Sequence, residues 1–569
     1  MGPLMEQNSF RRQGSLREQT LFWVVFGAVT LLCALPFASR DLAAGHDALF
    51  HILRIEGLAA GLRGGAGWPQ RIYALLCGGY GYAAGLFYPD LFLLPAALLR
   101  CIGLGPELAF KFEVLLCALA AVLTACAAGR AMGNSRSAGL YAMLLYGLCQ
   151  YHLADLYIRS AVGEAQAMVF APLVVWGLYD LTEQGGRKPW VLCAGFTGLL
   201  LSHTISLALW GLFAVGWVLC RLPRVLHRSV LLRLGGAAAV CLALGAWYWA
   251  PLLEQFGADT FRVTTAPLTT LAANAVPAAE FLDLTDFRAP GLTGFAMLAA
   301  GGVLCLRDRW DPRMRLPAAL WAVGAALTFV PLLPSAFWAA LDGTFLSAVQ
   351  FPWRLNGLSQ LCLALCCALL LSRRRGRSVR GAAAAAAAVC LAGTALVYTT
   401  LPEQVNYPGN YFTGNRGETF YLVGAEWMPE GADWTEFAFE PNAQYTDADG
   451  PHTGVYLPDG AFRFDYTGAE KVGVPKLYYK GYTAVDSAGN PVELRKDGAG
   501  RVELLCGEQT ARGPLTVRYT GTAVQWVSTA FSALTVLALA VFGLVRLLRP
   551  AITTAAERKG PSCTNSVQN

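Results

Sequence analysis

Apolar runs of about 20 residues recur along the chain from Leu21 to Leu548, separated by short polar stretches that collect most of the arginines. A helix rises 1.5 Å per residue, so each run covers a hydrocarbon core of about 30 Å. The pattern predicts twelve spans, near 20–39, 107–128, 138–154, 163–181, 189–203, 204–220, 234–253, 291–306, 316–333, 355–372, 381–399 and 524–546. The stretch "LFLLPAALLR" (91–100) is apolar too, but Pro89, Asp90, Pro95 and Arg100 interrupt it. The nine residues between Asp90 and Arg100 cover only about 14 Å. Residues 91–104 are therefore placed as an interfacial helix on the outer surface.

Past residue 400 the period changes from helical to alternating. "AFRFDYTG", "RVELLCG" and "LTVRYTG" alternate apolar with polar positions, and "SAGN" and "DGAG" punctuate them as turns. The organisation that follows is a transmembrane domain over 1–400 with a long first loop at 40–106, a β-sandwich-like domain over 401–522, and a last helix with its tail over 523–569. Trp427, Trp434, Tyr478, Tyr479 and Tyr482 in the β region either fill its core or stack on sugar rings.

Composition supports a polytopic α-helical membrane protein: 55% of the 569 residues are hydrophobic and 14% charged, against about a quarter charged in soluble proteins. The net charge of +6 is explained by where the cations sit and calls for no nucleic acid. Basic clusters at 130/136, 187/188, 221–233, 307–315, 373–380 and 546–550, with Arg11, Arg12 and Arg17, mark the cytoplasmic side by the positive-inside rule. Both termini then lie in the cytoplasm, with the β-rich domain outside the membrane. The first apolar run is longer than a signal-peptide core and reads as an uncleaved helix. Most of the sixteen cysteines lie in apolar runs, where they act as small hydrophobes, and Cys506 is alone within 401–522.

The first outer loop opens with "GHDALFHILRIEGLA" (45–59), dense in ionisable groups. As a helix it carries Asp47, His51 and Arg54 on one stripe. The second outer loop, "HLADLYIRSAVGEAQA" (152–167), adds Asp155, Arg159 and Glu164. Carboxylates in a shaped cleft act as general bases or hold a divalent metal, and arginines bind phosphate with a bidentate fork. Plainer roles are equally open: Asp47 as a helix N-cap, Glu164 favoured by a helix dipole, and Asp155–Arg159 as an i,i+4 pair. In "QFPWRLNG" (350–357), Pro352 delays the helix to about Trp353, which is placed at the membrane interface. Arg354 then falls in the first turn, where a cation makes most sense with a phosphate beside it; lipid headgroups and Asp342 are the alternatives.

A long helix, a large outer loop opening with Asp in "HDALFHILR", interfacial helices, an acidic second outer loop and an outer C-terminal domain together resemble the GT-C glycosyltransferase superfamily. Oligosaccharyltransferases, protein mannosyltransferases and lipid A aminoarabinose transferases belong to it. The resemblance implies a catalytic first-loop carboxylate, base or metal ligand, at Asp47, with Asp155 and Glu164 completing the acidic site. "GHDALFHILRIEGLAAGLRGG", "DLYIRSAVGEA", "LLSHTIS", "FPWRLNGL" and "GAEWMP" further resemble a bacterial membrane family labelled 6-pyruvoyl-tetrahydropterin-synthase-related. That label describes no activity here: a pterin synthase is a soluble zinc enzyme with three His ligands, and the six histidines of this chain (46, 51, 152, 203, 227, 452) are scattered.

The implied function is transfer of a sugar from a polyprenyl-phosphate donor to an extracytoplasmic acceptor, whether envelope glycan, lipid or protein. Arg54, Arg159 and Arg354 would hold the phosphate, His46 and His51 would face substrate, and His203 would either line a lipid groove or end a helix. A flippase of lipid-linked glycans is the rival, but such proteins tend to place charge at the bilayer midplane, where these spans carry almost none. A non-catalytic envelope scaffold on the same fold is the third reading.

Overall fold

The computed structural model describes residues 19–74, 76–265, 269–374, 376–403, 405–408, 425–433 and 443–557. Arg11, Arg12, Arg17, Arg375 and Trp434 lie outside the described residues. The main helices are α1 (Gln19–Phe37), α2 (Ala48–Arg63), α3 (Leu94–Cys101), α4 (Pro106–Gly133), α5 (Arg136–Gly147), α6 (Val162–Glu183), α7 (Pro189–Leu200), α8 (Thr204–Cys220), α9 (Arg228–Ala258), α10 (Gly291–Arg307), α11 (Arg315–Phe329), α12 (Leu355–Leu371), α13 (Arg377–Thr399) and α14 (Ala523–Glu557). Eight of them, α1, α4, α6, α9, α11, α12, α13 and α14, are long and apolar enough to cross a membrane, counting the short turns that extend α11 and α12. The stretch at 91–104 folds as a short helix too brief to span. Its Arg100 pairs with Glu56 of α2.

One expected span is broken: the run 138–154 stops at Gly147 and resumes at Gln150–Leu153. The run 189–203 ends at Leu200, and the next helix starts at Thr204 as expected. Neighbouring helices satisfy the amides freed at the break in 138–154: Gln150 N–H donates to Thr293 Oγ1 at 3.0 Å, and Tyr151 N–H to Gln360 Oε1 at 2.9 Å. Irregular backbone at membrane depth is tolerated where protein groups take its hydrogen bonds.

The C-terminal β region is a sandwich-like fold made from one continuous sheet. Nine strands, β3 (Gln444–Asp447), β4 (Gly450–Thr453), β5 (Val455–Tyr456), β6 (Phe462–Tyr466), β7 (Lys471–Leu477), β8 (Tyr482–Val485), β9 (Pro491–Lys496), β10 (Arg501–Leu505) and β11 (Gly513–Tyr519), form one antiparallel sheet in the order β4-β3-β7-β10-β9-β8-β11-β6-β5. The sheet curls back on itself, because Tyr445 of β3 meets Phe464 of β6 at 4.3 Å between ring centroids although five strands lie between them in the pairing order. Strand β6 alternates buried and exposed positions, as a strand with one covered face must. Tyr479 and Tyr482 are buried, so they serve packing.

The first loop seats this sheet. A two-stranded ladder joins β1 (Leu42–Ala44) to β2 (Val405–Tyr407). Leu477 N–H donates to Tyr80 O at 3.0 Å, and the buried Lys476 Nζ to Gly79 O at 2.8 Å. The C-terminal end of α9 adds Gln255 Nε2 to Lys480 O at 2.8 Å and an ion pair between Glu254 and Lys480 at 3.3 Å. Lys111, near the start of α4, donates to the carbonyls of Ser39 and Asp41, each at 2.8 Å, which fixes where the first loop departs.

Candidate functional site

Asp47 stands immediately before α2, at its N-cap, yet its side chain makes no capping hydrogen bond. The helix forms as the sequence stripe predicts: His51 N–H donates to Asp47 O at 3.1 Å, and Arg54 Nη1 lies 3.3 Å from His51 Nδ1. The loop before it is sewn to the segment 158–160 by three backbone amides. Gly45 N–H donates to Ser160 Oγ at 3.2 Å, His46 N–H to Ile158 O at 3.3 Å and Asp47 N–H to Arg159 O at 2.8 Å. The approach is so close that a Cβ on Gly45 would lie 2.4 Å from Ile158 O, which only glycine permits.

The partner segment is itself unusual. Ala154–Ile158 is one turn of π-helix, and Ser160 follows with φ +53°. Single π turns and left-handed non-glycine residues are strained and concentrate at functional sites. Asp155 and Arg159 meet within this segment as an i,i+4 pair, and the chain then turns directly into α6, whose first turn carries Glu164.

Glu164 is the hub. Its Oε1 accepts from Tyr151 Oη at 2.5 Å, and its Oε2 from Arg159 Nη1 at 2.7 Å and Arg354 Nε at 3.1 Å. Arg159 Nη1 also contacts Asp155, and its guanidinium lies 4.6 Å from the Trp353 ring centroid. Arg354 is clamped by its Nη1 to Val349 O at 2.8 Å and Gln350 Oε1 at 2.9 Å, and lies 4.7 Å from the Phe351 ring centroid. It occupies a 3₁₀ turn, Pro352–Arg354, that leads into α12. Trp353 is buried against Arg159, Phe287 and Phe351. One expectation for this stretch is corrected. Asp342 is no partner of Arg354: it accepts from the amides of Leu271 at 2.7 Å and Ala272 at 3.2 Å.

Burial, with the neighbouring Glu164 carboxylate, holds the Asp155 carboxyl well above the ordinary range, and Asp155 Oδ2 is buried without a partner among the described residues. His51 is held well below its ordinary pKa by burial first and by Arg54 second. His46 lies edge-on to Phe287 at 5.4 Å, and burial lowers its pKa. His203 caps α8, its Nδ1 accepting from Ser206 N at 3.3 Å, and its ring lies 6.0 Å from that of Tyr88. Arg54 packs on Tyr88 at 4.1 Å and spends Nη2 on Pro89 O at 2.7 Å. It is 1% exposed, so it braces the 88–90 turn, whereas Arg159 and Arg354 stand together at the carboxylates.

Asp47 differs from the other acids. It is half-buried and, among the described residues, accepts no side-chain hydrogen bond and pairs with no cation within 4 Å. The charges it faces are His46, Arg159 and Glu426.

Glu426 was not singled out in the sequence. Its carboxyl is pushed up to about 7 by burial first and by Asp47 second. The segment carrying it is pinned by Val263 N to Glu426 O at 2.7 Å, Arg262 N to Met428 O at 3.0 Å and Tyr479 Oη to Trp427 O at 3.1 Å. The Trp427 ring sits among Phe50, Tyr82, Phe87 and Tyr88, with centroids 5.8–6.1 Å away. The signal available in the sequence was a lone acid in the otherwise apolar "GAEWMP".

A divalent metal does not fit these residues. Among the described residues no three His, Cys, Asp or Glu side chains gather as a ligand set. Asp155 and Glu164 already face Arg159 and Arg354, cations that repel a metal. An apolar groove of about 440 Å³ lies between α8, α11 and α12, and Leu355, next in sequence to Arg354, forms part of its wall.

No family model matches the chain, and no curated protein matches it. Solved structures do. The mycobacterial arabinofuranosyltransferase AftD is 21% identical with a TM-score of 0.45, over 68% of this chain and 27% of that one. A mutant of the same enzyme gives 19% identity and a TM-score of 0.43, over 67% and 28%. ArnT from Cupriavidus metallidurans, bound to undecaprenyl phosphate, is 18% identical with a TM-score of 0.39, over 65% of this chain and 63% of that one. The chain thus spans little more than a quarter of the arabinofuranosyltransferase and just under two thirds of ArnT.

Proposed function

We propose that the protein is a membrane glycosyltransferase that moves a sugar from a polyprenyl-phosphate carrier to an acceptor hydroxyl on the outer face of a bacterial plasma membrane. The observation that carries this reading is the contrast between Asp47, a carboxylate with no cation on it, and the neutralised carboxylates beside it. An unpaired carboxylate at the edge of a buried cluster is suited to take a proton.

In this reaction Asp47 accepts the acceptor's hydroxyl proton as its oxygen bonds to the anomeric carbon. The bond from that carbon to the phosphate oxygen breaks, and the electron pair leaves with the polyprenyl phosphate. Arg159 and Arg354 receive the phosphate charge. Among the described residues, Arg159 has no protein acceptor on Nε and Nη2, and Arg354 none on Nη2. Glu164 is a positioning residue: it fixes both guanidinium groups and leaves those nitrogens for substrate. The groove beside Leu355 supports a lipid-linked donor, since an isoprenoid chain lying there brings its phosphate to Arg354. The neighbouring structures, an arabinofuranosyltransferase and ArnT with undecaprenyl phosphate, are consistent with this chemistry.

The test is lipid and glycan analysis of cells carrying Asp47→Asn in place of the native gene. Asn caps helices as well as Asp, so folding should survive. Loss of a general base lowers the rate by roughly 10²–10⁴. The variant should accumulate the same undecorated envelope molecule as a deletion strain. Full complementation by Asp47→Asn would remove Asp47 from the chemistry, and a deletion strain with an unchanged envelope would favour a scaffold.

A further inference from the structure

At the end of the bundle away from the candidate site, a pocket of about 870 Å³ is lined by Arg221, Arg224, Arg313, Arg315 and Arg373 with Glu183. These residues come from three separate places: the turn after α8, the approach to α11, and the exit of α12. Their charges do not balance. Arg221 and Arg224 share Glu183 Oε1, the former at 3.0 Å. Arg373 spends its donors on neutral groups, Met314 Sδ at 3.4 Å and Arg313 O at 3.1 Å. The exposed side chains of Arg313 and Arg315 make no ion pair among the described residues. Five guanidinium groups thus face one carboxylate, an excess of positive charge that complements an anion.

The pocket's depth and walls say what kind of anion. From Arg354 to Arg373 the chain follows α12, and 19 residues of helix rise about 28 Å, close to the thickness of a hydrocarbon core. The pocket therefore sits at the opposite headgroup level. Its upper wall, at Cys220, Arg221 and Ala319, is shared with the apolar groove. Leu219, Leu222 and Leu226 are 62%, 40% and 61% exposed beside it, a surface for acyl chains. We propose that this pocket binds the phosphate of an anionic glycerophospholipid from the leaflet opposite the candidate site. Clustering for orientation alone would not require arginines from distant segments to line one concavity with a single shared carboxylate. Basic pockets between helices at this level suit phospholipid headgroups.

The experiment uses the full chain in detergent, titrated with dioleoyl-phosphatidylglycerol or dioleoyl-phosphatidylcholine and read by native mass spectrometry. Phosphatidylglycerol should be retained and phosphatidylcholine not. Arg313→Gln with Arg315→Gln breaks no ion pair, so it should fold normally and lose retention about fivefold per arginine. Arg221→Gln with Arg224→Gln should lose at least as much. Asp47→Asn should retain phosphatidylglycerol as the native chain does, which separates this site from the proposed catalysis. Equal retention of both lipids, or of phosphatidylglycerol by the arginine variants, would overturn the proposal. Displacement of the lipid by an equal concentration of glycerol 3-phosphate would assign the pocket to a soluble phosphate and overturn it too.

Discussion

Replacing Glu164 with Gln tests whether the buried cluster is built as described. The change keeps the shape and removes the charge. In the native site three donors converge on the carboxylate, from Tyr151 at 2.5 Å, Arg159 at 2.7 Å and Arg354 at 3.1 Å. An amide oxygen turned to the two guanidinium groups keeps both contacts without the charge, and its nitrogen reverses the contact with Tyr151 Oη, so both charge-assisted bonds lose their anionic partner. Hydrogen bonds involving a charged group contribute about 1.5–3 kcal/mol each, which gives about 3–6 kcal/mol. Breaking a buried pair by removing one partner costs a similar 3–5 kcal/mol. Glu164→Gln should therefore lose about 4 kcal/mol of stability, measured by denaturant unfolding in a fixed detergent. The double variant with Arg354→Met should lose less than the sum of the single losses, by about 2 kcal/mol, since the two residues share one interaction. If Glu164→Gln unfolds within about 1 kcal/mol of the native chain while transfer is abolished, Glu164 belongs to the chemistry and the hub is misassigned.

Two further outcomes follow from the same geometry. Gly45→Ala places a methyl 2.4 Å from Ile158 O and 2.7 Å from the carbonyl carbon of Arg159, atoms that cannot swing away; overpacking typically costs about 1–3 kcal/mol, and cysteine cross-linking between the two outer loops should fall. Glu426→Gln tests the raised carboxyl: between its ordinary value near 4.5 and about 7 the folded chain keeps a proton that the unfolded chain has released, so this group's contribution is full below 4.5 and lost as pH rises to 7. The variant should gain stability relative to the native chain at pH 8 compared with pH 5 in thermal melts, and an unchanged difference across that range would refute the assignment.

Much of the helical frame was legible because apolar run length is set by the bilayer, and each of the twelve expected spans contains helix. The Asp47, His51, Arg54 stripe was legible for the same reason, since helical period fixes which residues neighbour each other. Meetings between distant segments were not. Nothing local in "FPWR" names Glu164 as the partner of Arg354, or Arg159 as the cation on which Trp353 packs. The break at Leu148–Cys149 was invisible because run length says nothing of side chains such as Thr293 and Gln360 that satisfy a broken ladder from elsewhere. The β region was legible as strands but not as one sheet, because alternation reports a covered face and not what covers it.

The hub also dictates an order of assembly. Arg354 follows Glu164 by 190 residues, so at about 5–20 residues per second a nascent chain carries Glu164 for roughly 10–40 s before its second cation is made. During that interval Asp155 and Glu164 share a single guanidinium, and the site has too few cations to be dehydrated. The second outer loop must therefore stay wet until the turn at 352–354 reaches the same side of the membrane. A chain truncated before that turn presents an open, acidic loop where the finished protein has a closed one, a difference that membrane proteases can act on.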